Sequence, residues 1–131
     1  MGELIAALVV LMVPVTERCD AAAALDVVRA AAWTSGDRVS LERVYAGRAG
    51  EREVARLRSW RERGVSVRGM RTPRARCRPI GVTRIEVVER LGPTEAVLPD
   101  GTRRALPEDA WDRRILDLVW TGGRWRIAAV S

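Results

Sequence analysis

Apolar and polar positions recur with two different periods along this chain, and the change of period divides it. Before Gly64 the apolar residues return every three or four positions, the spacing of one face of a helix. After Gly64 they return every second position, the spacing of a half-buried strand. Helices first and an antiparallel meander afterwards predict an α+β domain, with the helices packed against the sheet.

Asp20 can cap a helix beginning at Ala21, in which Ala21, Ala24, Leu25, Val28, Ala31 and Ala32 make one narrow apolar face. Ser35-Gly36 ends it, and Asp37 caps a second, short helix with Leu41, Val44 and Tyr45 on one side. Gly47 and Gly50 then break the chain. A third helix is predicted from Glu51 to Arg63. Glu51 and Glu53 sit at the positive end of its dipole, Val54, Leu57 and Trp60 form its apolar stripe, and Gly64 stops it.

The first strand places Val65 and Val67 on one face and Ser66 and Arg68 on the other. In a second, Ala75 and Cys77 alternate with Arg74, Arg76 and Arg78, and Pro79 predicts an edge position or a bulge. A third, from Val82 to Leu91, sets Thr83, Ile85 and Val87 against Arg84, Glu86 and Arg90. Gly92-Pro93 and Pro99-Asp100-Gly101 are turns around a short strand at Ala96 to Leu98, and Arg103 to Ala110 reads as a loop. The sharpest signal comes last. Trp111 to Trp120 and Trp125 to Val130 are strands joined by Thr121-Gly122-Gly123-Arg124, whose glycines can take the positive φ a tight hairpin needs. The implied register sets Trp120 opposite Trp125, Leu118 opposite Ile127 and Leu116 opposite Ala129, and puts Arg126 diagonal to Asp117.

Leu4 to Val13 is an unbroken apolar run, followed by Pro14 and then by the polar Thr16-Glu17-Arg18. Its length is that of the apolar region of a signal peptide and too short for a comfortable membrane span. The chain therefore divides into a signal-like or anchor segment, residues 1–19, and one domain, residues 20–131. The expected location is extracytoplasmic or membrane-anchored, with membrane association through residues 4–15. If the run is instead a buried first helix, the protein is cytoplasmic. Cys19 and Cys77 are the only cysteines, too few for a thiolate zinc site, and the chain has no His to complete a mixed one. In an exported protein they can form a disulfide; two buried free thiols are the alternative.

At 131 residues the chain can bury a core without metal or disulfide help, although with no Phe that core rests on Leu, Val, Ile and Ala. The net charge is +6, and all 23 basic residues are Arg, as a GC-rich coding sequence would produce. The charge is uneven, with 11 Arg against 3 Glu between Arg48 and Arg78. A face built from Arg68, Arg74, Arg76 and Arg78 is the candidate binding surface, for weak and salt-sensitive contacts with polyanions and without sequence-specific nucleic-acid recognition. No phosphate loop, nucleophile elbow, metal cluster or dinucleotide fingerprint is present, and no cofactor is expected.

Ala32-Trp33-Thr34-Ser35-Gly36-Asp37, then Leu41 and Val44-Tyr45, and the closing Gly122-Gly123-Arg124-Trp125-Arg126-Ile127, resemble the nuclear transport factor 2-like superfamily, which includes the SnoaL-like proteins. The resemblance implies a sheet curled into a cone around the helices, with a mouth that can hold a small molecule. Enzymes of that kind place an Asp or His base, and often a Tyr or acid donor, in the cone. Without His, only Asp37 and Tyr45 remain as candidates, and each has a structural explanation, as a helix cap and as a core residue. Secreted or membrane-tethered accessory members of the superfamily share this layout. The expectation is a non-catalytic accessory domain that binds a protein partner. A small-molecule binder or isomerase-like or dehydratase-like enzyme using the cone for a small apolar ligand is the alternative, and a weak polyanion binder is the third.

Overall fold

Among the described residues three helices precede seven strands, in the order the change of period predicts. A computed structural model describes residues 16–131; the apolar run Leu4 to Val13 and the membrane association expected of residues 4–15 lie outside the described residues. The helices are α1 (Thr16–Ser35), α2 (Arg38–Glu42) and α3 (Glu51–Glu62). The strands are β1 (Ser66–Arg68), β2 (Arg74–Pro79), β3 (Arg84–Glu89), β4 (Glu95–Val97), β5 (Arg103–Ala105), β6 (Asp112–Thr121) and β7 (Arg124–Val130). The fold is α+β.

The strands sort into two antiparallel sheets and not one: β1-β4-β5, and β2-β3-β6-β7. β5 occupies part of the segment expected as a loop, because Ala105, Arg104 and Arg103 pair with Glu95, Ala96 and Val97 across the turn. β2 is an edge strand, as Pro79 requires. The opposite edge, β7, is covered: the Ile127 N–H donates to Val44 O at 2.9 Å, and the Ala46 N–H donates to Ile127 O at 2.8 Å. A backbone that would otherwise invite pairing is thereby closed on one side and lined with Arg on the other.

α1 departs most from expectation. It starts before Ala21, so Asp20 lies inside the helix and the folded unit begins ahead of residue 20. Its buried stripe is Ala22, Ala32 and Trp33, with Cys19 and Leu25 packed beside it. Asp26 and Arg29 lie on the same stripe, whereas Val27 and Val28 are exposed. The disulfide explains the rotation. Cys19 is bonded to Cys77 on β2 with the two Cα atoms 6.0 Å apart, which turns the Cys19 side of α1 toward the large sheet. Closing a chain separation of 58 residues constrains the unfolded ensemble by about 4 kcal/mol.

Two apolar clusters result. One lies beneath the large sheet and joins Ala22, Val44, Ile85, Val87, Leu116, Leu118 and Ile127; the other joins Ala32, Trp33, Leu41, Leu57 and Val67 between the helices and the small sheet. Tyr45 packs against both. A Cβ at Gly50 would overlap the Tyr45 ring, so the turn before α3 needs glycine there.

The terminal hairpin follows the expected register at its tip, where Trp120 pairs with Trp125 and Leu118 with Ile127. The Trp rings meet edge to face, with centroids 5.5 Å apart. An irregularity between Asp117 and Leu118 then shifts the pairing, so Leu116 opposes Val130 while Asp117 opposes Ala129. Arg126 pairs with Val119, two residues from Asp117 on the same face of β6, and the two form no ion pair.

Gly122 and Gly123 have φ of 63° and 78°, a turn whose twist matches its strands. Replacing both with Val is expected to cost about 2–4 kcal/mol, since each β-branched residue would be forced into the left-handed region. A lowered urea midpoint with an unchanged m-value is the expected result, and an unchanged midpoint would contradict it.

Candidate functional site

Among the described residues, two arginine–carboxylate groups lie inside the domain and a third on the outer face of the large sheet, and these position its polar chemistry. The first joins all three helical segments at Glu53, in the first turn of α3. Arg29 on α1 and the Tyr45 hydroxyl after α2 both donate to its carboxylate, and Trp33 Nε1 donates at 3.3 Å. Arg29 Nη1 also reaches Thr72 Oγ1 at 3.4 Å. Burial pushes the Glu53 carboxyl upward in pKa, but the hydrogen bonds and charge of Arg29, with those of Tyr45 and Trp33, outweigh it, and the net shift is downward. Burial raises the Tyr45 hydroxyl strongly, and the adjacent Glu53 charge adds to it. Glu53 is thus a fixed anion and Tyr45 a fixed donor. A cavity of about 120 Å³ lies beside them, lined by Arg29, Trp33, Glu53, Trp60, Val67 and Met70 among others.

The second group lies between α1 and the large sheet. Arg74 contacts Asp26 on α1 and places its Nε 2.9 Å from Glu89 Oε2, within ion-pair range but without hydrogen-bond alignment. Arg114 approaches Glu89 at 3.6 Å. One guanidinium shared by two carboxylates does not offset burial fully. Desolvation raises the Asp26 carboxyl to about 6 despite Arg74, and the Glu89 charge reinforces that rise. The third group is on β2, β3 and β6: Glu86 accepts from Arg78 at 2.9 Å and from Arg113 at 2.6 Å. Those hydrogen bonds hold its carboxyl at about 2. Glu86 has almost no exposed surface, because the two arginine side chains lie over it.

The expected site residues scatter. Asp37 is exposed and caps α2, its carboxylate accepting from the Ser40 backbone N–H at 3.2 Å and the Ser40 hydroxyl at 2.6 Å, which lowers its pKa. Tyr45 is turned to Glu53, so the two do not converge as acid and base. The expected arginine face dissolves as well. Ala75 is the extra residue of a register shift between Arg74 and Arg76, which reverses the parity of β2. Arg74 therefore points inward beside Cys77 with 13% of its side chain exposed, while Arg76 and Arg78 point out. Arg78 is engaged by Glu86, and Arg68 stands on the other sheet. Cys19 and Cys77 form the disulfide, so the alternative of two free thiols falls.

The exposed face of α1 borders an open groove of about 390 Å³. Ala21, Ala24, Leu25 and Val28 form one wall, Trp120, Gly123, Arg124 and Trp125 the other, with Ser40 and Arg43 between them. Val28 is 42% and Trp120 60% exposed.

No family model matches this chain, and no curated protein matches it. The fold is similar to the crystal structure of the intermembrane space region of the chloroplast protein ARC6. The TM-score is 0.63 over 90% of this chain and 95% of that chain, at 14% identity. That likeness is one of fold alone.

Sequence reasoning missed Asp26, Arg29, Glu53 and Glu89 as interior residues, whereas Glu86 lies on the outer face of β3, where the alternation put it. Asp26 and Arg29 are spaced three apart and fall on the helical row that runs from Cys19 through Ala22 to Trp33. That spacing was the available signal, but two charges on a row disqualify it when a row is scored by hydrophobicity.

Two outcomes follow from the interior pairs. Glu53→Gln leaves Arg29 half-buried without its counter-ion and is expected to destabilise by about 3 kcal/mol in urea unfolding. A loss no larger than that of an exposed pair would contradict the buried hub. Asp26 works in the opposite sense: its folded pKa of about 6 exceeds the ordinary 3.8. Its contribution to stability is fully present below about pH 4 and is lost as pH rises through about 6. The stability of wild type minus that of Asp26→Asn should therefore fall by on the order of 2 kcal/mol between about pH 4 and about pH 7. A difference that rises with pH would mean that Arg74 outweighs desolvation.

Proposed function

We propose that this is a non-catalytic accessory domain that works outside the cytoplasm and binds a protein partner. The observation that carries the reading is the Cys19–Cys77 disulfide, which ties the first helix to an edge strand and belongs to an oxidising compartment. The apolar run at residues 4–15, suited to export or tethering, agrees with it. The similar ARC6 structure is of an intermembrane space region, which is compatible with the same location.

The chemistry of the interior supports binding over turnover. Glu53 and Glu86 are held by arginine, which lowers the pKa of each, and a carboxylate clamped in this way is a poor proton acceptor. Asp37 and Tyr45 are each committed to a structural hydrogen bond and lie apart in role. The reading keeps the nuclear transport factor 2-like scaffold as its template, on the motifs around Trp33 to Tyr45 and Gly122 to Ile127. A reused scaffold of that kind serves binding as readily as catalysis.

Thiol trapping tests the location. The full chain is produced in bacterial cells, quenched with acid, and treated with a polyethylene-glycol maleimide before and after reduction. Protected thiols that become available only after reduction, in protein that external protease digests in intact spheroplasts, are the expected result. Two freely alkylated thiols in protease-protected protein would place the domain in the cytoplasm and overturn the reading.

A further inference from the structure

The groove between α1 and the terminal hairpin combines three features that ordinary surface lacks. Its walls are apolar, with Val28 and Trp120 held open to water rather than folded over. Its framework is rigid: the disulfide fixes α1 near the start of the groove, and Trp125 packs on the core beneath Trp120. Its charge has one sign. Arg43 and Arg124 line it, Arg18 lies over the Trp125 ring at 5.6 Å, and no carboxylate lines it. Among the described residues no carboxylate forms an ion pair with Arg18, Arg43 or Arg124.

We infer that this groove is the docking site for a short apolar segment of a partner protein flanked by carboxylates. The inference rests on the partner-binding reading above and supplies its surface. Apolar side chains of the segment cover Val28, Leu25 and Trp120, and its carboxylates meet Arg43 and Arg124. Complementary charge fixes orientation and rejects basic segments, while the buried aromatic and aliphatic contacts hold the complex. The α1 stripe Ala21, Ala24 and Val28 has small side chains, so a partner backbone can approach the helix closely.

The test uses two fluorophore-labelled synthetic peptides that share one Leu-rich core, one flanked by Glu and the other by Lys, with the full disulfide-bonded protein. Fluorescence anisotropy should show the Glu peptide binding roughly ten-fold tighter at low salt, as two exposed charge pairs allow. Arg43→Glu with Arg124→Glu should reverse the preference. Val28→Glu should abolish binding of both peptides, and Val82→Glu, at an exposed residue outside the groove, should change neither. Circular dichroism and the urea midpoint of each variant show whether it is folded, and Trp120→Ala repeats the Val28 arm should that variant fail. Absence of binding by both peptides, equal binding of the two, or binding indifferent to Val28→Glu and Trp120→Ala would overturn the inference. Decanoate that displaces the Glu peptide and itself binds more tightly, with the same loss in Val28→Glu, would assign the groove to an amphiphile and overturn it as well. None of these failures alters the thiol-trapping result, so the location and the docking surface stand or fall separately.

Discussion

The Cys19–Cys77 disulfide and the Asp26–Arg74 pair fix the same quantity, the rotation of α1 about its own axis, and the other packing follows from it. Both bonds tie α1 to β2, one a helical turn or two beyond the other. With Cys19 and Asp26 turned to the large sheet, Ala22 enters its core and Arg29 is carried round to α3. There Glu53 receives Arg29, and through Tyr45 the same carboxylate holds the segment that covers the edge of β7. A covalent tie and a chain of ion pairs thus run from the edge strand through all three helices to the far edge of the sheet.

Much of this was readable from residue pattern alone, and the places where reading failed have common physics. The terminal hairpin was readable because two glycines, two tryptophans and strict alternation all specify one register. α2 was readable because Asp after Ser-Gly is a strong helix cap, and α3 because Gly50, Glu51 and Gly64 mark both ends. Failure came wherever one residue changes parity. The register shift at Ala75 turned Arg74 inward, and the one between Asp117 and Leu118 moved Leu116 from Ala129 to Val130. Nothing in Arg-Ala-Arg-Cys-Arg distinguishes regular alternation from alternation interrupted once, because Ala fits either face.

The α1 error is of a different kind. Two stripes competed for the core, the expected one of Ala21, Ala24, Leu25, Val28, Ala31 and Ala32, of which Leu25 and Ala32 do pack inward, and one of Cys19, Ala22, Asp26, Arg29 and Trp33. Hydrophobicity favours the first, since burial of an unpaired charge costs several kcal/mol. The second prevails because each of its charges has a fixed partner distant in sequence, which no local pattern reports. The all-Arg composition belongs to the same account. Arg74 spans Asp26 and Glu89 with one planar guanidinium, and Arg78 and Arg113 cover Glu86 from two strands. A lysine ammonium has no such fork, so whatever coding bias supplied the arginines, the fold employs them as bridges.

That substitution of a charged stripe for an apolar one leaves a consequence on the surface. An apolar face that could have been buried within the domain is turned outward beside Trp120, where it forms one wall of the groove. Exposed apolar surface of this kind invites non-specific association unless its rim selects what may approach. Arg43 and Arg124 provide that selection, since a basic or neutral segment would leave both cations facing a desolvated contact without compensation. Rotating α1 to hide Val28 would require breaking the disulfide and stranding Asp26 and Arg29. The bonds that make the core charged are therefore the ones that hold the groove open.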